Sequence, residues 1–301
     1  MDGIRTVGAA AGFRWVWDAI NIGRRGAGAI FGGAGLLLFA GIVAMIALMF
    51  AMGGLFAALR QPSPWVSMPI GVGVMLVLLL GMAIGVVGYL RLIDAVESGR
   101  GAGATDAFRG FEDFGAAGRT FAVMVAMMLV QQAVMIGLIA WLMPDLGRWY
   151  LDVLHGMGAA AGTPPALPSA FWKIYPVSLL LNLLASWVQS VAIGQVALGG
   201  RNATGALRDG VVSLVRNVPA LLVLIGVAIA FAVALVLIVL VAVAALALAA
   251  KLVAMWLAVV LALVLYVAFF IAMVAVGCAS MYYMWRDIAG PGDAPAQAIA
   301  A

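Results

Sequence analysis

Chemistry needs groups that hold a metal, move a proton or attack a substrate, and this 301-residue chain carries few of them. Its one histidine, His155, has only Asp145 and Asp152 near it as further ligands. A metal centre takes three or four ligands, so His155 reads as a solvated interfacial side chain, and no metal or other cofactor is expected. Glu112 and Asp113 are adjacent and point to different helix faces, while Asp94 and Glu97 share a face beside Arg91 and Arg100. All four read as solvated loop charges rather than the paired acids of general acid–base catalysis. The glycine-rich Gly99-Arg100-Gly101-Ala102-Gly103 lacks both the preceding strand and the Lys-Ser/Thr ending of a phosphate loop. The single Cys278 can form no internal disulfide. No catalytic residue is identified, and an enzyme is not expected.

What remains is neutral and polar. Ser178, Asn182, Ser186 and Gln189 recur at steps of four, four and three, which places them on one helix face, with Gln195 further along and Gln131 and Gln132 on a separate apolar run. Such a stripe either glues helices together through hydrogen bonds averaging about 0.6 kcal/mol or lines a path for a polar substrate or lipid headgroup. Packing is the favoured reading. A second set, Arg14, Arg24, Arg25, Arg109, Arg119, Arg208 and Arg216, lies in or beside amphipathic stretches and suits contact with anionic headgroups.

The elements that carry these residues follow from composition. Apolar residues make up 66% of the chain, charged residues 9%, and the mean hydropathy is +1.19, which excludes a soluble fold. Long uncharged runs predict six membrane-spanning helices over residues 30–59, 68–90, 120–143, 174–198, 219–249 and 252–285, in one all-α integral membrane domain. The last two share a tight turn at Lys251; a three-span division of 218–285 also fits by length. Twelve of the 16 basic residues fall in the N-terminal segment, the second and fourth loops and the tail, so both termini are expected in the cytoplasm of a bacterial inner membrane. The net charge of +4 then belongs to membrane topology and not to nucleic-acid binding. Residues 146–157 look like a short interfacial helix on the outer side, and the tail from Gly290 to Ala301 is expected to be disordered. Gly28-x-x-x-Gly32 and Gly81-x-x-x-Gly85 suggest close helix packing.

Each pair of spans is preceded by a basic amphipathic stretch: Phe13 to Arg25, Ala104 to Arg119 and Ala203 to Asn217. The last two match at Ala104 and Ala203, Thr105 and Thr204, Ala107 and Ala206, and Arg109 and Arg208, which predicts three hairpins. Phe108, Phe111 and Phe114, or Trp15, Trp17 and Ile20, form apolar faces suited to the interface.

These stretches, with Gly12-Phe13-Arg14-Trp15-Val16-Trp17-Asp18-Ala19, Asp106-Ala107-Phe108-Arg109-Gly110-Phe111, Arg216-Asn217-Val218-Pro219 and the closing Tyr282-Tyr283-Met284-Trp285-Arg286-Asp287, resemble a family of six-span bacterial inner-membrane proteins with no established activity. That family is similar to the membrane domain accompanying some glycerophosphodiester phosphodiesterases. The resemblance implies fold and location, not the phosphodiesterase chemistry of the separate soluble domain. The expected role is a structural or accessory partner in a membrane assembly or lipid-related process, with a permease or lipid-handling transporter as the alternative. Membrane lipids are the expected partners, followed by another membrane protein or further copies of the chain.

Overall fold

The computed structural model describes residues 3–60, 63–146, 149, 171–252 and 255–291. They build α1 (Ala11–Ile20), α2 (Ala27–Ala58), α3 (Pro64–Glu97), α4 (Phe114–Leu142), α5 (Phe171–Ala197), α6 (Ala203–Arg216), α7 (Val218–Leu252) and α8 (Met255–Ile288), with 3-10 helices at Ile22–Arg24 and Ala104–Glu112. There is no strand among the described residues. Six of the helices, α2, α3, α4, α5, α7 and α8, are long and apolar enough to cross a membrane, so the chain is a multi-pass helical bundle. Within 218–288 the described residues form two helices, one running through Lys251 to Leu252 and the next beginning at Met255. The expected interfacial helix with His155 lies almost wholly outside the described residues, as does the tail from 292 onward.

Several helices outrun the apolar segments that announce them. At 1.5 Å per residue the 32 residues of α2 extend about 48 Å and the 35 of α7 about 52 Å, against a hydrocarbon core of about 30 Å. The surplus of α3 is its charged end: Arg91, Asp94 and Glu97 continue the helix past its apolar run instead of sitting in a loop.

The core lies at one end. Buried side chains of α3 fall within residues 83–96, those of α4 within 116–127, those of α5 within 185–197, and α2 buries only Ile30, Gly33 and Ala34. In α8 all but Ala258 fall within 275–288. Beyond these stretches the spans turn Phe50, Ile136, Leu237 and Leu263 away from the protein. Both described ends of the chain meet at the packed end, hereafter the base, where the Arg5 amide donates to the Ile288 carbonyl at 2.8 Å.

At the base the three amphipathic segments fold back on the hairpins. Ala104–Glu112 packs on α3 and α2, and α6 packs on α5 and α4. α1 precedes the first hairpin yet packs on α7 and α8, which closes a ring. Small residues make the docking possible. In the nine-residue 3-10 helix, Ala107 and Gly110 share one face because side chains three apart eclipse. A Cβ on Gly110 would stand 2.0 Å from the Ile84 carbonyl oxygen, and one on Gly88 would stand 2.0 Å from that of Ala107. Gly12 meets the Ala220 carbonyl and Gly210 that of Val188 in the same way. Of the glycines in the two G-x-x-x-G motifs only Gly32 makes a close approach, since its Cβ would stand 3.0 Å from that of Ala104 in the 3-10 helix; Gly28 and Gly81 face open space, and Gly85 has only the Leu37 side chain at 3.7 Å.

The opposite face of each segment is apolar and exposed: Phe13, Trp17 and Ile20 on α1, Phe111 and Phe114 on and after the 3-10 helix, Val211 and Val215 on α6. Trp15 corrects the expected interfacial face of α1. It turns inward, fully buried, with its ring edge-on to Trp187 at 5.5 Å.

Candidate functional site

The base concentrates the ionisable groups, and most of them hold one another. Trp15 Nε1 donates to Asp287 Oδ2 at 2.8 Å, and Arg14 reaches the same oxygen at 3.4 Å. Arg5 donates to the carbonyls of Asp287 and Arg286 at the end of α8. Buried Asn217 receives the Val7 amide at 2.7 Å and donates to the Arg5 carbonyl at 3.2 Å, which fixes the N-terminal segment across the α6–α7 junction. Trp187 Nε1 donates to Ser213 Oγ at 3.0 Å, tying α5 to α6. Tyr282 Oη donates to Asp94 at 3.1 Å, tying α8 to α3.

Asp113 is a structural residue, not a loop charge. It caps α4 by accepting the Ala116 amide at 2.8 Å and pairs with Arg91 at 2.6 Å, while Arg91 Nε also donates to the last carbonyl of α5, Ala197, at 3.2 Å. The Arg91 hydrogen bond first, and the Ala116 amide second, hold the Asp113 carboxyl below its ordinary range. Asp94 pairs with Arg100, and Glu97 with Arg25 at 3.4 Å.

Of the seven arginines expected at headgroups, Arg14 and Arg25 thus have protein partners, Arg109 pairs with Asp106 at 3.1 Å, and Arg216 donates to the Ile4 carbonyl at 3.0 Å. Arg24 and Arg208 hold no hydrogen bond or ion pair among the described residues, and Arg119 Nε is buried without a hydrogen-bond partner.

Two clefts open between these groups. One, of about 380 Å³, is lined by Arg91, Arg100, Arg109, Asp94, Asp106 and Glu112. The other, of about 680 Å³, lies along α6 beside Gly3 and Ile4 and is lined by Arg201, Arg208, Arg216, Asp209, Gln195 and Thr204. They are built alike. Each follows the second helix of a hairpin through a glycine in the left-handed region, Gly99 at φ 71° or Gly200 at φ 68°, followed at once by an arginine. Their charges differ, with three arginines against three acids in the smaller cleft and three against Asp209 alone in the larger. Asp209 is itself held by Arg201 and Gln195, each at 3.1 Å.

The polar stripe is distributed along α5 and α4. Gln131 Nε2 donates to Asn182 Oδ1 at 3.0 Å, the one bond of the stripe that joins two spans among the described residues. Ser178 donates to the Tyr175 carbonyl, Asn182 to that of Ser178 and Ser186 to that of Leu183, all within α5. Gln189 is half-buried, Gln132 exposed, and Gln195 belongs to the α6 cleft. Among the described residues no group of three or more His, Cys, Asp or Glu side chains could hold a metal ion. Comparison with protein families, with curated proteins and with solved structures finds no match to this chain.

Proposed function

We propose that this protein is a non-enzymatic component of the bacterial inner membrane, with both termini cytoplasmic, acting as a structural or accessory partner in a membrane assembly or lipid-related process. One observation carries the reading: the protein packs itself at the base and leaves many large apolar side chains in the distal halves of its spans exposed, an apolar surface available to lipid or to the spans of a partner. The arginine-rich base agrees with a cytoplasmic orientation, because positive charge resists translocation. The resemblance to six-span inner-membrane proteins points to the same location.

A photo-crosslinking residue in place of Leu237, on the exposed face of α7, tests the role in cells. A discrete crosslinked product with one integral membrane protein, or with a second copy of the chain, is expected; crosslinks to lipid alone would overturn the partner role. The permease reading retains one supporting observation, that Asn182 and Ser186 remain exposed rather than sealed between helices.

A further inference from the structure

We infer that the α6 cleft is a binding site for a phosphate group, carried by a lipid headgroup or by a small soluble phosphate. The comparison with its sister cleft makes the case. At the smaller cleft each arginine is matched: Arg91 with Asp113, Arg100 with Asp94, Arg109 with Asp106. The matching stretch of α6 keeps the alanine, the threonine and the arginine of that segment, but Gly205 stands where the smaller cleft has Asp106. Arg208, the counterpart of Arg109, therefore loses the acid three residues before it and holds no hydrogen bond or ion pair among the described residues. Arg216 spends one donor on a neutral carbonyl, and Asp209 neutralises Arg201 only, so the cleft carries a net charge of about +2 while its sister is close to neutral.

Guanidinium groups bind phosphate through paired N–H donors, and three arginines line this open volume, which is large enough for a headgroup. The Thr204 hydroxyl offers a further hydrogen-bond donor, and the partial positive charge at the N-terminus of the 14-residue α6 has the same sign as the arginines. Exposed Val211 and Val215 on α6 place the segment at an apolar boundary, beside which a lipid headgroup would lie.

The proposal deepens the lipid-related role above, and the two fail separately: the crosslinking readout is indifferent to Arg208, and the binding test uses purified protein with no partner present. Full-length protein in phosphatidylcholine nanodiscs is titrated with inorganic phosphate at constant ionic strength. In parallel, nanodiscs of mixed phosphatidylcholine and phosphatidic acid are scored for phosphatidic acid retained by the protein. Binding of either probe is expected to weaken about tenfold in Arg208→Gln, to survive in Arg208→Lys and to be unchanged in Arg109→Gln. Phosphate binding in pure phosphatidylcholine assigns a soluble source, and retention of phosphatidic acid without it assigns the lipid. The site is refuted if neither probe binds, or if Arg208→Gln and Arg109→Gln weaken binding equally.

Discussion

Replacing Gly88 by alanine adds one methyl group to the middle of the seam between α3 and the 3-10 helix. Its Cβ would lie 2.0 Å from the Ala107 carbonyl oxygen and 2.8 Å from the Gly110 nitrogen. Both are backbone atoms, so no rotamer change relieves the clash, and the segment must retreat by about 1.4 Å to reach an ordinary contact of 3.4 Å. Overpacking of this kind costs about 1–3 kcal/mol, against a gain of about 0.5–1 kcal/mol for removing a glycine from a helix interior. A net loss of about 1–2 kcal/mol is expected. Gly81, two turns away on the same helix, has nothing within 4 Å, so Gly81→Ala carries the gain without the clash. Adding Gly110→Ala to Gly88→Ala costs less than the sum of the two, since the first substitution has already opened the seam that the second needs. Unfolding in graded SDS, followed by the fluorescence of the nine tryptophans, measures the wild type, the three single variants and the double variant. A Gly88→Ala protein as stable as Gly81→Ala would refute the docking geometry.

Acid and the polar stripe offer further tests. Because the Asp113 carboxyl is held below the ordinary value of 3.8 in the folded protein, its contribution to stability is present above that value and disappears as pH falls through the lower folded value. The difference in melting temperature between wild type and Asp113→Asn should therefore be full near neutrality and shrink on acidification below the ordinary carboxylate range; a constant difference would contradict the Arg91 pairing. Leucine at Gln131, at Asn182 and at both forms a double-mutant cycle across α4 and α5, with an expected coupling of about 0.6 kcal/mol and a limit near 1.7. Zero coupling, together with intact assembly and altered solute flux in the single variants, would instead favour the permease.

The six spans were legible because a bilayer demands long apolar helices and the chain has little else to offer. Their basic ends were less so, since hydropathy stops at Arg91 while the helix continues through Glu97, supported by ion pairs to residues such as Arg25. Those partners are invisible locally. Asp113 meets Arg91 across 22 positions, and Asp287 meets Trp15 across 272. Glycine spacing was a partial guide: G-x-x-x-G describes two long helices crossing face to face, whereas Gly32 of the first motif meets the 3-10 helix at Ala104, and the tightest approach there is made by Gly88 and Gly110, which belong to neither motif. The three-residue period of Ala104, Ala107 and Gly110 was the available cue. The difference between the clefts was also present, as Gly205 against Asp106 inside a similar stretch, but it acquires meaning only once Arg208 is seen without a partner among the described residues.

Closing the ring through α1 sets an order of events during synthesis. The segment Ala104–Glu112 finds α3 and α2 already made, and α6 finds α5 and α4, so both can dock as they emerge. α1 cannot, because its docking surface belongs to α7 and α8 and its Trp15 must wait for Asp287. At about 5–20 residues per second that delay is about 14–54 s, during which the inward face of α1 can meet Trp187 of α5 through Trp15 but lacks its main docking surface, and the exposed face of Phe13, Trp17 and Ile20 can hold it at the membrane. The final hairpin is thus also the clasp, and a chain interrupted before α7 would leave its first helix without the surface it docks on.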